Sequence, residues 1–304
     1  MEAGGNRKPW YRKTRYMLLI GLLIALLLFS FLSGSSVPAK SSDQSRLDRT
    51  IYYFAQNYNA TTGLLPQTPG SSTFLLYPDN YLVTLAVERY NSGNSTTSSF
   101  GEALSAALES YTATFPQGYD VSEFTALNST AASFNCATQY SLTWTPSIAS
   151  SATSKVTLTT FANTGSQSCA SGNYADLLLL QALWYHRFGN ASEASSFFNL
   201  ASADFDGKGL ADAAYNGTAY QTSNLALYVY ASSCLGVNST NTNTATRLMY
   251  SMQDNSTGGF YQGYTTNLTS LNAPSLTPVG GVNTEATAIA SLALEQLVHP
   301  STGC

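Results

Sequence analysis

A short pattern that occurs three times along this chain limits its fold more than any other feature. In each copy a helical segment is followed by a glycine and then by Leu or Phe. A polar and aromatic loop comes next, and a new helix begins at Asp, Asn or Glu. The copies cover residues 63–80, 209–224 and 259–283. Such a unit is a helical hairpin, which buries its apolar face only by stacking on neighbouring hairpins. We therefore expect a mainly α fold of stacked hairpins, in which each glycine supplies the left-handed residue that ends a helix.

Helical spacing of the apolar side chains predicts eight helices. The first three begin near Leu47, Asp79 and Ser99, and the other five cover residues 173–187, 190–204, 221–235, 241–253 and 283–298. Asn190 is the expected N-cap of one helix, with Glu193 completing a capping box. Between the helices, residues 137–170 alternate in polarity and are rich in Thr, Ser and Val, which predicts a β-hairpin or a loop insertion.

One hairpin resembles a known group of proteins. The segment 247–260 (RLMYSMQDNSTGGF), followed by 280–288 (GGVNTEATA), is similar to a hairpin of the α/α-toroid proteins. That group includes six-hairpin glycosidases, some polysaccharide lyases, and the terpenoid-cyclase and prenyltransferase toroids. Gln253 with Gly258, Gly259 and Phe260 resembles the glutamine–aromatic repeat of the cyclases. The resemblance covers roughly half of the domain at the level of the repeat, and it implies a fold rather than an activity.

The chain also departs from that group. Eight helices are fewer than the twelve of a complete six-hairpin barrel, so the resemblance implies a shortened or open toroid. The Asp-x-Asp-Asp acid motif of a cyclase is missing from the sequence. The two histidines, His186 and His299, do not suffice for the zinc site of a prenyltransferase. Among the group, the sugar-cleaving members are therefore the closest guide to chemistry.

The N-terminus has the composition of a membrane anchor. Residues 1–16 hold five of the 13 basic residues, and residues 17–35 are uncharged and mainly apolar. Such a stretch can cross a hydrocarbon core of about 30 Å, and the basic leader predicts a cytoplasmic N-terminus. The alternative is a secreted chain whose signal peptide is cleaved after Ala39. Either way, a linker (36–44), a domain (45–298) and a tail (299–304) are expected outside the cell.

The charge of the exported part excludes one class of partner. Of the 304 residues, those from 36 onward hold eight of the 13 Lys and Arg but 16 of the 17 Asp and Glu. An acidic body with scattered cations lacks a surface that tracks phosphates, so we expect no nucleic-acid partner. The sequence contains no G-x-S-x-G, H-E-x-x-H or P-loop motif, and we expect no cofactor.

The cysteines and glycosylation motifs agree with export. The four cysteines lack C-x-x-C spacing, which favours disulfides over zinc or redox chemistry. Three pairings are open; we favour Cys136–Cys169, which would bracket the insertion, and by elimination Cys234–Cys304. Eight N-x-Ser/Thr motifs predict N-glycosylation, at Asn59, Asn94, Asn128, Asn190, Asn216, Asn238, Asn255 and Asn267.

Polar residues open each helix that would line the inside of a toroid, and there they would converge on one end. We predict three of these acids as catalytic residues, Asp79, Asp176 and Glu285. We predict the neighbouring amides and phenols as substrate-binding residues, namely Asn80, Tyr174, Tyr220, Asn224 and Asn283. Two carboxyl groups can act as general acid and base in glycoside hydrolysis, and aromatic faces stack on sugar rings.

Each of these residues also has a structural interpretation. Asp79 and Asn283 can cap helices, and Glu285 in a first turn is favoured by the helix dipole. Asp176 precedes an apolar run and needs a partner or ligand if it faces inward. Segment 204–215 places acids at positions 1, 3 and 9 of a calcium loop, but Lys208 and Tyr215 occupy positions 5 and 12. A turn between helices is the simpler interpretation, and we predict no metal site.

These observations predict a membrane-anchored, N-glycosylated extracellular domain that binds or cleaves carbohydrate, as a glycoside hydrolase or a lyase. The alternative is a non-catalytic surface protein that forms envelope structure or binds glycans or other partners. Acids clustered around one site would favour the enzyme, and acids dispersed as helix caps would favour the alternative.

Overall fold

The computed structural model describes residues 42–71, 74–91, 98–114, 126–127, 134, 140–144, 149–151, 154–163, 174–212, 219–267, 275–300 and 304. They belong to one compact unit, Ser41–Cys304. The proposed leader, anchor and signal-cleavage site lie outside these residues. Within them, every helix is too short or too polar to span a bilayer.

The described residues contain eight helices and seven strands. The helices are α1 (Ser42–Asn57), α2 (Tyr77–Asn91), α3 (Ser98–Thr114), α4 (Ala175–Arg187), α5 (Ala191–Ala203), α6 (Thr222–Cys234), α7 (Thr240–Ser251) and α8 (Thr284–Val298). The strands are β1 (Phe74–Leu76), β2 (Tyr140–Trp144), β3 (Ala149–Ser151), β4 (Ser154–Asn163), β5 (Tyr220–Gln221), β6 (Phe260–Asn267) and β7 (Ser275–Asn283). The expectation of a mainly α fold is confirmed.

Buried and surface helices alternate along the chain. In α8, 12 of 15 residues are buried, and in α6, 11 of 13, so these helices are covered on all sides. In contrast, α5 buries three of 13 residues and α7 four of 12, as expected for helices with one apolar face. Among the buried helices, α8 packs against α2 and α6, and α6 packs against α4. We call α2, α4, α6 and α8 the inner helices.

We call α1, α3, α5 and α7 the outer helices, and the sequence repeat corresponds to a repeated turn after α1, α5 and α7. Single antiparallel bridges join Asn59 to Leu64, Phe205 to Leu210 and Gln253 to Phe260. In the second and third turns an aspartate carboxylate accepts backbone N–H groups three residues ahead, from Gly209 to Asp206 (3.1 Å) and from Thr257 to Asp254 (2.9 Å). These are Asx-type turns, which explains the acids and amides at these positions. The repeat is therefore a structural unit as expected.

The repeat glycines act differently from our prediction. The outer helices α1, α5 and α7 end at Asn57, Ala203 and Ser251, several residues before the glycines. Gly63 has a positive φ of 74°, but Gly209 and Gly259 do not lie in the left-handed region. A Cβ on Gly209 would lie 2.3 Å from Cδ1 of Tyr220. Close packing, rather than helix termination, therefore requires glycine at the second and third positions.

Gly259 offers a direct test of this explanation. A Cβ there would lie 2.4 Å from Cγ1 of Val282 and 2.6 Å from Cδ2 of Tyr53. We expect Gly259→Ala to lower the free energy of unfolding by about 1–3 kcal/mol through overpacking. Gly281→Ala is the matched control, because no atom lies within 4 Å of its added Cβ. Equal urea midpoints for the two variants would contradict the explanation.

The hydrogen bonds of Gln253 explain why the same motif contains a glutamine. Its Nε2 donates to the carbonyl oxygens of Arg46 (3.0 Å) and Gly258 (2.9 Å). Its Oε1 accepts from Nη2 of Arg49 at 2.9 Å and from Nη1 of Arg46 at 3.3 Å. The guanidinium of Arg46 also lies 4.4 Å from the ring centroid of Tyr250. A single buried amide thus joins α1 to the turn after α7, so the first and last hairpins are held together.

The strands include one pair that was predicted and one that was not. Within the predicted insertion, β2 and β3 each pair with β4 in antiparallel fashion, which confirms a β-hairpin, and β4 also pairs in parallel with β1. The loop after Gly259 is instead a second hairpin, in which β6 pairs with β5 and β7. Its register shifts between Tyr261 and Gly263, and this irregularity hides the alternation that marks a strand in sequence.

A disulfide joins Cys234, at the end of α6, to Cys304 at the C-terminus. This pairing is the predicted one, whereas Cys136 and Cys169 lie outside the described residues. Because the bond closes a loop of 70 residues, we expect replacement of both cysteines by Ala to lower the free energy of unfolding by about 2–4 kcal/mol. Denaturant titration measures this loss, and an unchanged midpoint would mean that the bond does not constrain the unfolded chain.

Candidate functional site

Two of the three predicted catalytic acids meet where the inner helices α2 and α8 begin. Asp79 lies in the first turn of α2 and Glu285 in the first turn of α8, and these two helices pack together. The carboxylates are close enough for the charge of Glu285 to act on Asp79. We call these two residues the acid pair.

The two members of the acid pair differ in exposure. Asp79 is 2% exposed, and its Oδ2 is buried without a hydrogen-bond partner among the described residues. Glu285 is half-buried. Burial raises the pKa of Asp79 well above its usual range, and the negative charge of Glu285 raises it further. Asp79 is therefore favoured in its neutral, proton-bearing form beside a second carboxyl group.

The capping interpretation is right for one residue and wrong for another. Asn283 is the N-cap of α8, because its Oδ1 accepts from the backbone N–H of Ala286 at 2.9 Å. Helix α2 already begins at Tyr77, so Asp79 lies inside the first turn instead of at the cap. Asn190 likewise caps α5 by accepting from the N–H of Glu193 at 3.2 Å. Asp79 accepts a backbone hydrogen bond there, which lowers its pKa but does not offset the effect of burial.

A segment over residues 64–67, which we call the strap, joins the two helix starts. The side chain of Asn80 holds one end, accepting from Leu65 N (2.7 Å) and donating to Leu65 O (3.0 Å). Thr284 holds the other end: its N–H donates to Gln67 O (2.8 Å) and its hydroxyl to Pro66 O (2.6 Å). Asn80 therefore positions the strap beside the acid pair. Both its Oδ1 and its Nδ2 take part in these hydrogen bonds.

Tyr53 of α1 completes the surroundings of the acid pair. It is fully buried, and its hydroxyl lies 3.4 Å from Thr284 Oγ1. Since the single hydroxyl proton of Thr284 goes to Pro66, Tyr53 is the donor. Burial raises the pKa of Tyr53 to about 12. Tyr53 stays a neutral donor beside the pair.

The other predicted residues lie at the starts of α4 and α6. Asp176 is half-buried in the first turn of α4, where its Oδ1 accepts from Leu177 N at 2.8 Å. Tyr174, just before α4, is 41% exposed. Asn224 donates to Asp212 Oδ2 at 3.0 Å. The same oxygen accepts from the N–H of Ala175, so Asp212, which we did not predict, joins α4 to α6.

The described part of the possible calcium loop, residues 204–212, forms a turn. Asp206 accepts from the backbone N–H groups of Lys208 (2.8 Å) and Gly209, and its other oxygen accepts from the Tyr220 hydroxyl at 2.6 Å. Tyr220 also stacks on Tyr264 with centroids 5.5 Å apart. In the part of the chain that is described, no group of three or more His, Cys, Asp or Glu side chains is arranged to hold a metal.

Similarity to other proteins adds nothing to this geometry. Comparisons of the chain with family models, with curated proteins and with solved structures gave no match. The interpretation of the site therefore depends on its own chemistry: a buried carboxyl group with an unsatisfied oxygen, a second carboxyl group beside it, and neutral hydroxyl groups around them.

Proposed function

We propose that the chain is an extracellular α/α-toroid domain that hydrolyses glycosidic bonds with Asp79 and Glu285. The observation that carries this proposal is the acid pair, in which one carboxyl group is enclosed and favours its proton while its neighbour is the more exposed of the two. A carboxyl group whose surroundings raise its pKa beside a second carboxyl group is typical of acid–base catalysis. A purely structural role would not require a buried acid whose Oδ2 has no hydrogen-bond partner among the described residues.

The pair supplies both proton transfers that hydrolysis needs. Neutral Asp79 donates its proton to the glycosidic oxygen while the bond from that oxygen to the anomeric carbon breaks. Glu285 accepts a proton from the water whose oxygen forms the new bond to the same carbon. Afterwards Asp79 is ionised and Glu285 protonated, and exchange with solvent restores the starting state. Substrate reaches the pair from the side of Glu285, since Glu285 is the more exposed member.

The toroid part of the proposal is supported by the order of the helices. Each outer helix is followed along the chain by an inner one, which gives four pairs, α1–α2, α3–α4, α5–α6 and α7–α8. The inner helices α2, α8, α6 and α4 form a continuous row of packed neighbours. Four hairpins are fewer than the six of a complete barrel, as in a shortened or open toroid.

Three kinds of observation support display outside the cell. The basic leader and apolar stretch of residues 1–35 suit a membrane anchor, with a cleaved signal peptide as the alternative. The Cys234–Cys304 disulfide suits an oxidising compartment. Three glycosylation motifs, at Asn190, Asn238 and Asn255, are exposed outside the helices and strands. Asn94, Asn128 and Asn216 lie outside the described residues.

A hydrolysis screen tests the proposal. The full-length chain, with disulfides formed and in a detergent without a sugar headgroup, is incubated with oligosaccharides between about pH 3 and 7. We expect turnover that Glu285→Gln reduces roughly 10²- to 10⁴-fold. Glu193→Gln is the matched control, because Glu193 is also a first-turn glutamate but lies exposed on α5. No turnover, or equal turnover in both variants, would overturn the catalytic role.

A second candidate function is a non-catalytic domain that binds glycans at the cell surface. The observation in its favour is the enclosure of Asp79, together with the structural use of Asn80, Asn224 and Asn283. The same screen separates the two functions if glycan binding is measured alongside hydrolysis. Binding that persists in Glu285→Gln and never leads to products would favour this second candidate.

A further inference from the structure

The turn between α4 and α5 leaves aromatic side chains open to solvent. Phe188, the residue after α4, is 45% exposed, more than any other aromatic side chain in the described part of the chain. Its ring centroid lies 4.8 Å from that of Trp184, and the centroid of Trp184 lies 4.8 Å from that of Tyr185. Tyr185 is half-buried and stacks on Phe197 of α5 with centroids 5.3 Å apart. We call Tyr185, Phe188 and Phe197 the aromatic patch.

The backbone of the same turn forms a Schellman motif. Gly189 has a positive φ of 76°, and its N–H donates to His186 O at 3.0 Å. The next N–H, that of Asn190, donates to Tyr185 O at 2.9 Å. In this motif the residue after the glycine commonly places an apolar side chain against the residue whose carbonyl oxygen it binds. Here the residue after the glycine is the polar Asn190, and its backbone partner belongs to the aromatic patch.

The end of α6 has the same motif with an apolar residue. Gly236 has a positive φ of 68° and donates to Ser233 O at 3.2 Å, and Val237 N donates to Ser232 O at 2.8 Å. The side chain of Val237 is partly buried and packs against the core. The two turns therefore share one backbone arrangement and differ in the residue after the glycine. At the end of α4, an asparagine takes the place of an apolar contact.

Asn190 can be modified without loss of the helix cap. Its Oδ1 accepts from the backbone N–H of Glu193 as the N-cap of α5. N-glycosylation uses the other atom of the amide, Nδ2. Residues 190–192 form an N-x-Ser motif, and all three are exposed. A sugar on Nδ2 is therefore compatible with the cap, and the motif is accessible on the surface.

We propose that Asn190 carries a glycan whose first sugar ring packs against the aromatic patch and replaces the missing apolar contact. The C–H face of a sugar ring is apolar, so packing against an aromatic ring removes both surfaces from water. The glycan is thus a structural part of the turn. Its presence rests on the export included in the proposed function, whereas its packing rests on the turn alone.

The modification needs a lipid-diphosphate-linked oligosaccharide as co-reactant. The bond between the anomeric carbon of this donor and its phosphate oxygen breaks, and a bond from that carbon to Nδ2 of Asn190 forms. Nδ2 loses one proton, and the lipid diphosphate leaves with the electron pair of the broken bond. The Oδ1 atom keeps its lone pairs and still accepts from Glu193.

Expression of the full-length chain in a eukaryotic host, whose N-glycans begin with N-acetylglucosamine, tests the proposal. Glycopeptide mass spectrometry should show a glycan on Asn190. We expect a Tm roughly 2–4 °C above that of Ser192→Ala, which removes the motif but keeps the Asn190 cap. Thr240→Ala is the matched control, because it also replaces an exposed first-turn hydroxyl residue and removes the motif at Asn238. It should change Tm by less than about 1 °C.

Phe188→Ala separates packing from the general effect of a bulky sugar. In that background Ser192→Ala should lower Tm by roughly half as much or less, because the sugar has lost an aromatic partner. Phe188→Leu should lie between, and it serves in place of Phe188→Ala if that variant does not fold. An equal loss of Tm on Ser192→Ala in all three backgrounds would show that the glycan does not pack on the patch, and the proposal would fail.

The occupancy of the motifs separates this inference from the proposed function, since turnover is not measured. A glycan on Asn238 but none on Asn190 would refute this inference alone. A chain without any glycan would count against the proposed export as well. In both cases the acid pair is untouched, and failure of hydrolysis would likewise leave the glycan on Asn190 in place.

Discussion

Asp79→Asn is expected to abolish turnover and, at neutral pH, to make the protein more stable. The amide cannot donate a proton as an acid does, so the rate should fall roughly 10²- to 10⁴-fold. The same change removes a buried carboxyl group that is repelled by Glu285 when ionised. We expect the free energy of unfolding at pH 7 to rise by about 0.5–2 kcal/mol, the usual range for relief of a local conflict. Activity assays and urea titrations measure both effects on one preparation.

The raised pKa of Asp79 determines whether the stability of the folded chain rises or falls with pH. The pKa of Asp79 is raised in the folded chain, so folding binds a proton that the unfolded chain releases near its ordinary pKa of about 3.9. Its contribution to stability is complete below that pH and is lost as the pH rises through the folded pKa. The unmodified chain should therefore lose stability from mild acid toward neutral pH, and Asp79→Asn should lose less.

Asp254 provides a control with the opposite sign. Burial alone would raise the pKa of Asp254, but hydrogen bonds from Ser256 and Thr257 lower it to about 2. Its contribution to stability is therefore present above about pH 4 and is lost as the pH falls toward 2. Asp254→Asn should destabilise the chain at neutral pH and leave turnover intact. Should both aspartate variants shift stability in the same direction, the assigned environment of Asp79 would be wrong.

The helices were predictable because their signal is local. Apolar spacing and caps lie within each segment, so even the N-cap Asn190 could be assigned from sequence. The β6–β7 hairpin could not be predicted because its register shift hides the alternation, and the role of Gly259 could not be predicted because it depends on a residue distant in sequence. Gly259 is required by Tyr53 and Val282, and Gln253 reaches the backbone of Arg46. Contacts of this kind follow from hairpin stacking, which the repeat indicates only in outline.

The acid pair was predictable only in part, for the same reason. Once inner helices are assumed to start at one end, Asp79 and Glu285 are expected to meet there. Sequence could not show that Asp79 would be buried, since its surroundings include Tyr53 on α1, which is distant in sequence. Thr284 belongs to no motif, and only its position beside Glu285 at the start of a helix indicates its role in sequence.

Glu285→Gln separates the electrostatic role of Glu285 from its shape. Gln keeps the size of the side chain but removes the charge that raises the pKa of Asp79, so that pKa should fall toward its usual range. Loss of stability with rising pH should then begin at the same pH, near the unfolded pKa of Asp79, but should end at a lower pH and be smaller than in the unmodified chain. Any residual turnover should also decline at a lower pH on the alkaline side of its profile, because Asp79 gives up its proton sooner.

If Glu285→Gln shifts the pH dependence of stability and the pH dependence of turnover in the same direction, then Asp79 and Glu285 act as a functional pair and not as two independent first-turn acids. Urea midpoints measured from about pH 3 to 8 give the first curve, and kcat/KM over the same range gives the second. Glu193→Gln should move neither curve, because Glu193 is exposed at the start of a different helix. If Glu285→Gln leaves the stability curve in place, then Glu285 does not act on Asp79, and the proton held by Asp79 is due to burial alone.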